Sequence, residues 1–223
     1  ASANNLAGLL RAMKKPDDAR KLFQDTLENR KQALGKNHPD TLMSTNNLAM
    51  LLVEQGGVEE ATPLLYSALG GCRAQLGDRH PYTLTTINNL AGALRRAGTY
   101  DRAEDYLREA LEGLSAELGQ RHPHTLLTLK NLSSLLREMG RLAEAEKVLR
   151  KALKGMRAAL GDRHPDTMRS AGDLASLQAE IQEFADWRAK IQLEEEKNRV
   201  ICVPDWLPCR TPTRAKSNVP CAV

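Results

Sequence analysis

Aromatic side chains are scarce: Phe, Tyr and Trp supply 4% of the chain, and leucine and alanine fill most apolar positions instead. That balance suits helices packed closely side by side. No apolar run reaches 18 residues, so no segment can span a membrane as a helix. Charge of one sign is not in excess either, with 32 Lys+Arg against 28 Asp+Glu and a net charge of +4. Residues 199–223 hold Arg199, Arg210, Arg214 and Lys216 against Asp205 alone, which leaves the rest of the chain near neutral. A nearly neutral body lacks the basic face that nucleic acid requires. Cysteines number only four, Cys72, Cys202, Cys209 and Cys221; no two share the tight spacing of a zinc site, and no histidine lies near the last three. Reduced thiols of a cytosolic protein are the expectation, and hence a cytoplasmic location.

Catalytic signatures are missing as well. Gly35-Lys36 lacks both the leading glycine and the following hydroxyl residue of a phosphate-binding loop. Neither a Gly-x-Ser-x-Gly elbow nor a His-Glu-x-x-His helix occurs. We therefore expect no enzyme, no catalytic residue, no cofactor and no metal.

What is present is a strict period. His-Pro-x-Thr-Leu stands at 38–42, 80–84 and 122–126, then His-Pro-Asp-Thr-Met at 164–168. An interval of 42 residues, kept throughout, means one supersecondary unit copied and stacked. The four histidines, His38, His80, His122 and His164, fall one per copy. Successive layers then separate them by about 10 Å, too far to share a metal. They are assigned as structural joints, and His124, outside the joint pattern, as solvated.

Residues 77–118 illustrate the unit. Gly77 suits the position just past a helix C-terminus, and Pro81 the first position of the next helix. Leu84, Ile87, Leu90, Ala91 and Leu94 recur at three- and four-residue steps, predicting an amphipathic helix to about Ala97. Gly98 stops it. Thr99 is placed to cap a second helix, whose stripe is Ala103, Tyr106, Leu107, Ala110, Leu111, Leu114 and Leu118. Each copy is thus an antiparallel helix pair. Ala19, Ala61, Ala103 and Ala145 mark where the two helices approach most closely.

Three places break the pattern. Pro63, with Gly70 and Gly71, predicts that the second helix of its copy starts late, capped by Thr62, or else kinks. Trp187 replaces the recurrent alanine and Glu194, Glu195 and Glu196 replace apolar residues, so 184–197 reads as a modified capping helix. From 198 to 223, prolines at 204, 208, 212 and 220 without periodicity predict a disordered tail. Ala3-Asn4-Asn5-Leu6 aligns with Thr45-Asn46-Asn47-Leu48, so residue 1 falls just after where a joint would stand, as in a fragment of a longer product. The domain expectation is a repeat solenoid over 1–197 (partial repeat 1–34, repeats 35–76, 77–118 and 119–160, capping repeat 161–197), then the tail.

Asn-Asn-Leu-Ala, a glycine turn, a Glu-Ala or Asp-Ala pair and then Ala-Leu resemble the tetratricopeptide repeat. The 42-residue length and the joint Leu34-Gly35-Lys36-Asn37-His38-Pro39-Asp40-Thr41-Leu42, matched at 76–84 and 118–126, resemble the kinesin light chain type. Nephrocystin-3-like proteins and many microbial signalling proteins resemble it equally. The resemblance covers about residues 1–183 and implies an all-α, right-handed α-solenoid. It further implies that the first helix of each pair lines a concave groove for peptide segments. Carried over by alignment, that groove presents Asn5, Asn47, Asn89 and Asn131 as a ladder, with Asn46, Asn88 and Lys130 beside it. Arg11, Arg95 and Arg137 follow a turn or two further along. An asparagine amide offers donor and acceptor to any peptide backbone, and flanking arginines favour acidic partners. The same residues could instead bridge neighbouring helices.

The expected function is a protein–protein interaction scaffold, in its most specific version a kinesin-type cargo adaptor with motor or cytoskeletal partners. The alternative is the sensor arm of a larger signalling ATPase whose catalytic domain lies outside this chain. RNA binding is disfavoured by the near-neutral body.

Overall fold

The computed structural model describes the backbone of residues 2–13 and 15–201, with side chains over 5–10, 12–13 and 15–197. The expectations for the tail, for Cys202, Cys209 and Cys221, and for the Arg11 side chain concern positions outside the described residues. Helices follow one another without a strand among the described residues: α1 (Ser2–Ala12), α2 (Pro16–Leu34), α3 (Pro39–Glu54), α4 (Val58–Leu76), α5 (Pro81–Arg96), α6 (Tyr100–Glu117), α7 (Pro123–Glu138), α8 (Leu142–Leu160) and α9 (Pro165–Ile201). Residues 1–179 form one unit and 180–223 a second. Within the first, α1 to α8 make four helix pairs, each second helix packing on the next first helix. First helices also touch directly, α1 on α3, α3 on α5 and α5 on α7. The unit is therefore an all-α solenoid of helix pairs.

The joint pentapeptide owes its recurrence to three contacts. His38, His80 and His122 sit in extended conformation before α3, α5 and α7, and the ring Nδ1 of each accepts the backbone N–H two residues on, at 3.1–3.3 Å. His164 does the same for Asp166. This serves the exposed donors of a helix N-terminus, while proline at the first helical position has no N–H to satisfy. The threonine is buried in every copy, and in the two middle joints it reaches back to the joint glycine: Thr83 donates to the Gly77 carbonyl at 2.8 Å and Thr125 to that of Gly119 at 2.9 Å. Gly77 and Gly119 have φ of 87°, where a side chain would be strained. A His80→Ala variant should lose about 1 kcal/mol of stability in a urea titration, whereas His80→Asn, able to cap, should lose little.

The leucine of the motif explains a second glycine. A Cβ at Gly71, Gly113 or Gly155 would stand 2.4–2.5 Å from a methyl of Leu42, Leu84 or Leu126 respectively. The bare backbone of the second helix lets that leucine bury itself. Gly71, read from sequence as a local weakness, is thus a packing position shared by three repeats. Of the two expectations at Pro63, the late start is not what occurs. Helix α4 starts at Val58, Pro63 lies exposed within it, and Thr62 Oγ1 donates to the Val58 carbonyl at 2.7 Å instead of capping a late start. Thr99 stands at the N-cap position of α6 without capping it; its hydroxyl donates to the Leu94 carbonyl at 2.9 Å, closing the end of α5. Ala19, Ala61, Ala103 and Ala145 are all fully buried.

The end of the array departs most from the sequence reading. Gly56, Gly98 and Gly140 turn the chain between the helices of a pair with φ of 75–86°. The next position in that register is Gln182, and there α9 simply continues. Segment 184–197 is therefore the continuation of α9, not the second helix of a hairpin, because the glycine that would admit the turn is absent. In the second unit, Phe184 and Trp187 lie with ring centroids 5.6 Å apart, and the Arg188 guanidinium lies 5.4 Å from the Phe184 centroid. Both rings are more than half exposed, so this helix presents apolar surface where a polar face was expected.

Candidate peptide-binding groove

The first helices meet along a line of polar rungs whose spacing is 43 residues, one repeat plus one. Asn89 Nδ2 donates to Asn46 Oδ1 at 3.1 Å, and Asn131 Nδ2 donates to Asn88 Oδ1 at 3.1 Å. In the following rung the pair is ionic, Lys130 Nζ standing 3.7 Å from Asp173. Asn46 and Asn88 are buried, while Asn47, Asn89, Lys130 and Asn131 are half-buried. Asn5 is exposed. The rungs tie α3 to α5, α5 to α7 and α7 to α9, and they leave Oδ1 of Asn89 and of Asn131 outside the rung itself. A buried amide needs a partner, and here the neighbouring copy supplies it.

The same 43-residue offset recurs seven residues, or two turns, further on. Arg95 pairs with Glu138, and the Arg96 guanidinium donates to the Val53 carbonyl. Arg95 is thereby already engaged by a carboxylate of its own chain; Arg137, on the exposed side, is partnered as well. Sequence reading found the asparagines but missed Asp173, Glu138 and the buried Ser44, Thr86, Thr128 and Ser170, which recur every 42 residues. Three of these hydroxyls donate to the carbonyl four residues back, at 2.8–2.9 Å. An offset of 43 could have revealed the pairing, since it brings opposite charges and amides into register.

Ion pairs also join the second helices, Arg20 with Glu60, Arg73 with Glu109 and Arg141 with Glu104. Hydrogen bonding from Arg141 holds the Glu144 carboxyl below its ordinary range, and Arg150 and Gln178 do the same for Glu146. Burial pushes the Cys72 thiol up, its Sγ 4.0 Å from Thr86 Oγ1, so it stays a protonated core atom. No group of three or more metal-ligating side chains exists among the described residues. No described helix is long and apolar enough to cross a membrane.

The family model for the tetratricopeptide repeat matches residues 1–69, 43–116, 82–158 and 124–186. The chain belongs to the tetratricopeptide repeat family. In crystal structures, the nearly identical repeats of a Podosopora anserina kinesin light chain-like protein are similar at 23% identity and TM-score 0.69, over 88% of this chain and 95% of that one. A variant form of the same repeats gives TM-score 0.70 over 89% and 95%. BtubC (BKLC) from P. vanneervenii is similar at 21% identity and TM-score 0.66, over 96% and 85%. No curated protein matches the chain. These tetratricopeptide repeats thus share the kinesin light chain-like arrangement of helix pairs, and a chain built of them is a protein-interaction scaffold.

Proposed function

We propose that the wall formed by α3, α5 and α7 is a groove that holds an extended peptide segment of a partner protein. The observation that carries this reading is the ladder. Half-buried Asn89 and Asn131 keep their amide oxygens outside the rungs, one repeat apart, where a peptide N–H could reach them. A surface of this kind reads backbone more than side chain, so affinity would be modest, near micromolar or about −8 kcal/mol. Lys130 and Arg137 stand at the flank already partnered within the chain, so an acidic partner residue there would add to or exchange with those pairings. The kinesin-type version, in which the partner is a cargo or a motor component, is supported by the joint motif and by likeness in fold. Replacing Asn47, Asn89 and Asn131 together by alanine should abolish capture of partner proteins by the full chain while circular dichroism still reports a helical array. Undiminished capture by the triple variant would remove the groove from consideration.

A further inference from the structure

One cleft occurs in two neighbouring repeats with its charge reversed. In the first of these, Asp78, Arg79, Leu84, Glu109, Glu112 and Gly113 line a hollow of about 150 Å³ between the joint and α6. One period later Gln120, Arg121, Lys151, Lys154, Gly155 and Ala158 line a hollow of about 350 Å³ between the next joint and α8. The frame is the same, with a joint glycine at φ 87° and a glycine in the second helix against the motif leucine. The sign is opposite: three carboxylates and one arginine line the first, three cations and no carboxylate the second.

The two clefts also differ in how their charge is met. Arg73 pairs with both Asp78 and Glu109, so the acidic cleft is answered from within the chain. In the basic cleft the residue in the register of Arg73 is Ser115. Neighbouring Arg150 and Arg157 are closed by Glu146 and Asp162, yet Arg121, Lys151 and Lys154 have no ion-pair partner among the described residues. Like charges gathered around a concave surface focus the field there and raise the local concentration of an anion. Arg121 borders a second hollow of about 280 Å³, whose lining includes Pro123, Leu127 and Leu160. Leu127 is 48% and Leu160 41% exposed. Cations and exposed aliphatic surface therefore form one continuous strip.

We infer that this strip at the third joint, around His122, docks a short acidic segment of a partner protein. Its carboxylates or phosphates lie among Arg121, Lys151 and Lys154, and an aliphatic side chain lies in the adjoining hollow. A long polyanion is a poor fit, because the acidic cleft one helix layer away, about 10 Å, repels it. The surface shares only Lys130 with the groove proposed above and does not depend on it.

Fluorescence anisotropy with the full chain tests this, using a labelled peptide of four glutamates followed by leucine and its counterpart with phosphoserines. Lys151→Glu with Lys154→Glu should weaken binding at least tenfold, Lys151→Gln with Lys154→Gln less, and the triple asparagine variant not at all. Glu109→Lys with Glu112→Lys, by copying the basic cleft one repeat back, should raise the stoichiometry from one peptide to two. A preference for either peptide supports the site and tells phosphate from carboxylate. Leucine-to-glycine peptides that bind as well as the originals overturn the aliphatic half. Equal binding to wild type and to the double-glutamate variant, or none to wild type, overturns the whole, as does tighter binding of a single-stranded oligonucleotide. Self-association of the chain that the double-glutamate variant abolishes would assign the cleft to a second copy and overturn it too.

Discussion

A Leu84→Ala variant is expected to lose about 2–5 kcal/mol of stability, read as a lowered urea midpoint by circular dichroism. Leu84 is 2% exposed, and its methyls fill the space above Gly113. Truncating it leaves a cavity that the rigid joint on one side and the helix backbone on the other cannot close. The reciprocal change probes the same contact from the other side. Gly113→Ala sets a Cβ where Leu84 Cδ2 now stands 2.5 Å and Cδ1 2.8 Å away. Overpacking of that kind costs about 1–3 kcal/mol, set against about 1 kcal/mol gained from alanine in a helix interior. Combined, the two changes should cost clearly less than their sum, since the alanine at 113 occupies room that Leu84 vacates. Strict additivity would mean that the close approach is not what the recurring glycine serves.

The second large effect concerns the ladder. Asn131→Ala strips Asn88 Oδ1, in a residue 6% exposed, of its donor, and an orphaned buried acceptor costs about 1–3 kcal/mol. Replacing both members by leucine should recover much of that loss, because no polar atom is then left unpaired. Chemical denaturation of the single and double variants measures it. An Asn131→Ala variant as stable as wild type would mean that the amide faces only the groove. The rung below it, Lys130 with Asp173, is partly exposed and should contribute under about 1 kcal/mol. The two roles of the ladder also bear on the capture experiment, since the triple alanine variant must be compared at a temperature where its helices persist.

The joints were legible because each residue of His-Pro-x-Thr-Leu has one local task. Proline at the first turn and glycine past the last are backbone demands that any reader of the chain can infer. The ladder was half legible. Its asparagines stand out by repetition, but which amide meets which depends on the one-residue offset between facing helices, and that is set by packing. Gly71 misled for the same reason, since a helix-breaking residue in isolation becomes a fitting one only when Leu42 is brought over it. Arg95 read as a solvent-facing anchor until Glu138, 43 residues away, was placed beside it.

Periodicity alone determined the family of architecture and the positions of the turns in every copy before the last, since each follows from contacts within a few residues of the chain. Only the tertiary structure decided which polar side chains spend themselves on neighbouring repeats and which keep a free group, and that the last helix runs on past Gln182. Those outcomes depend on distances between segments about forty residues apart, which no local pattern encodes.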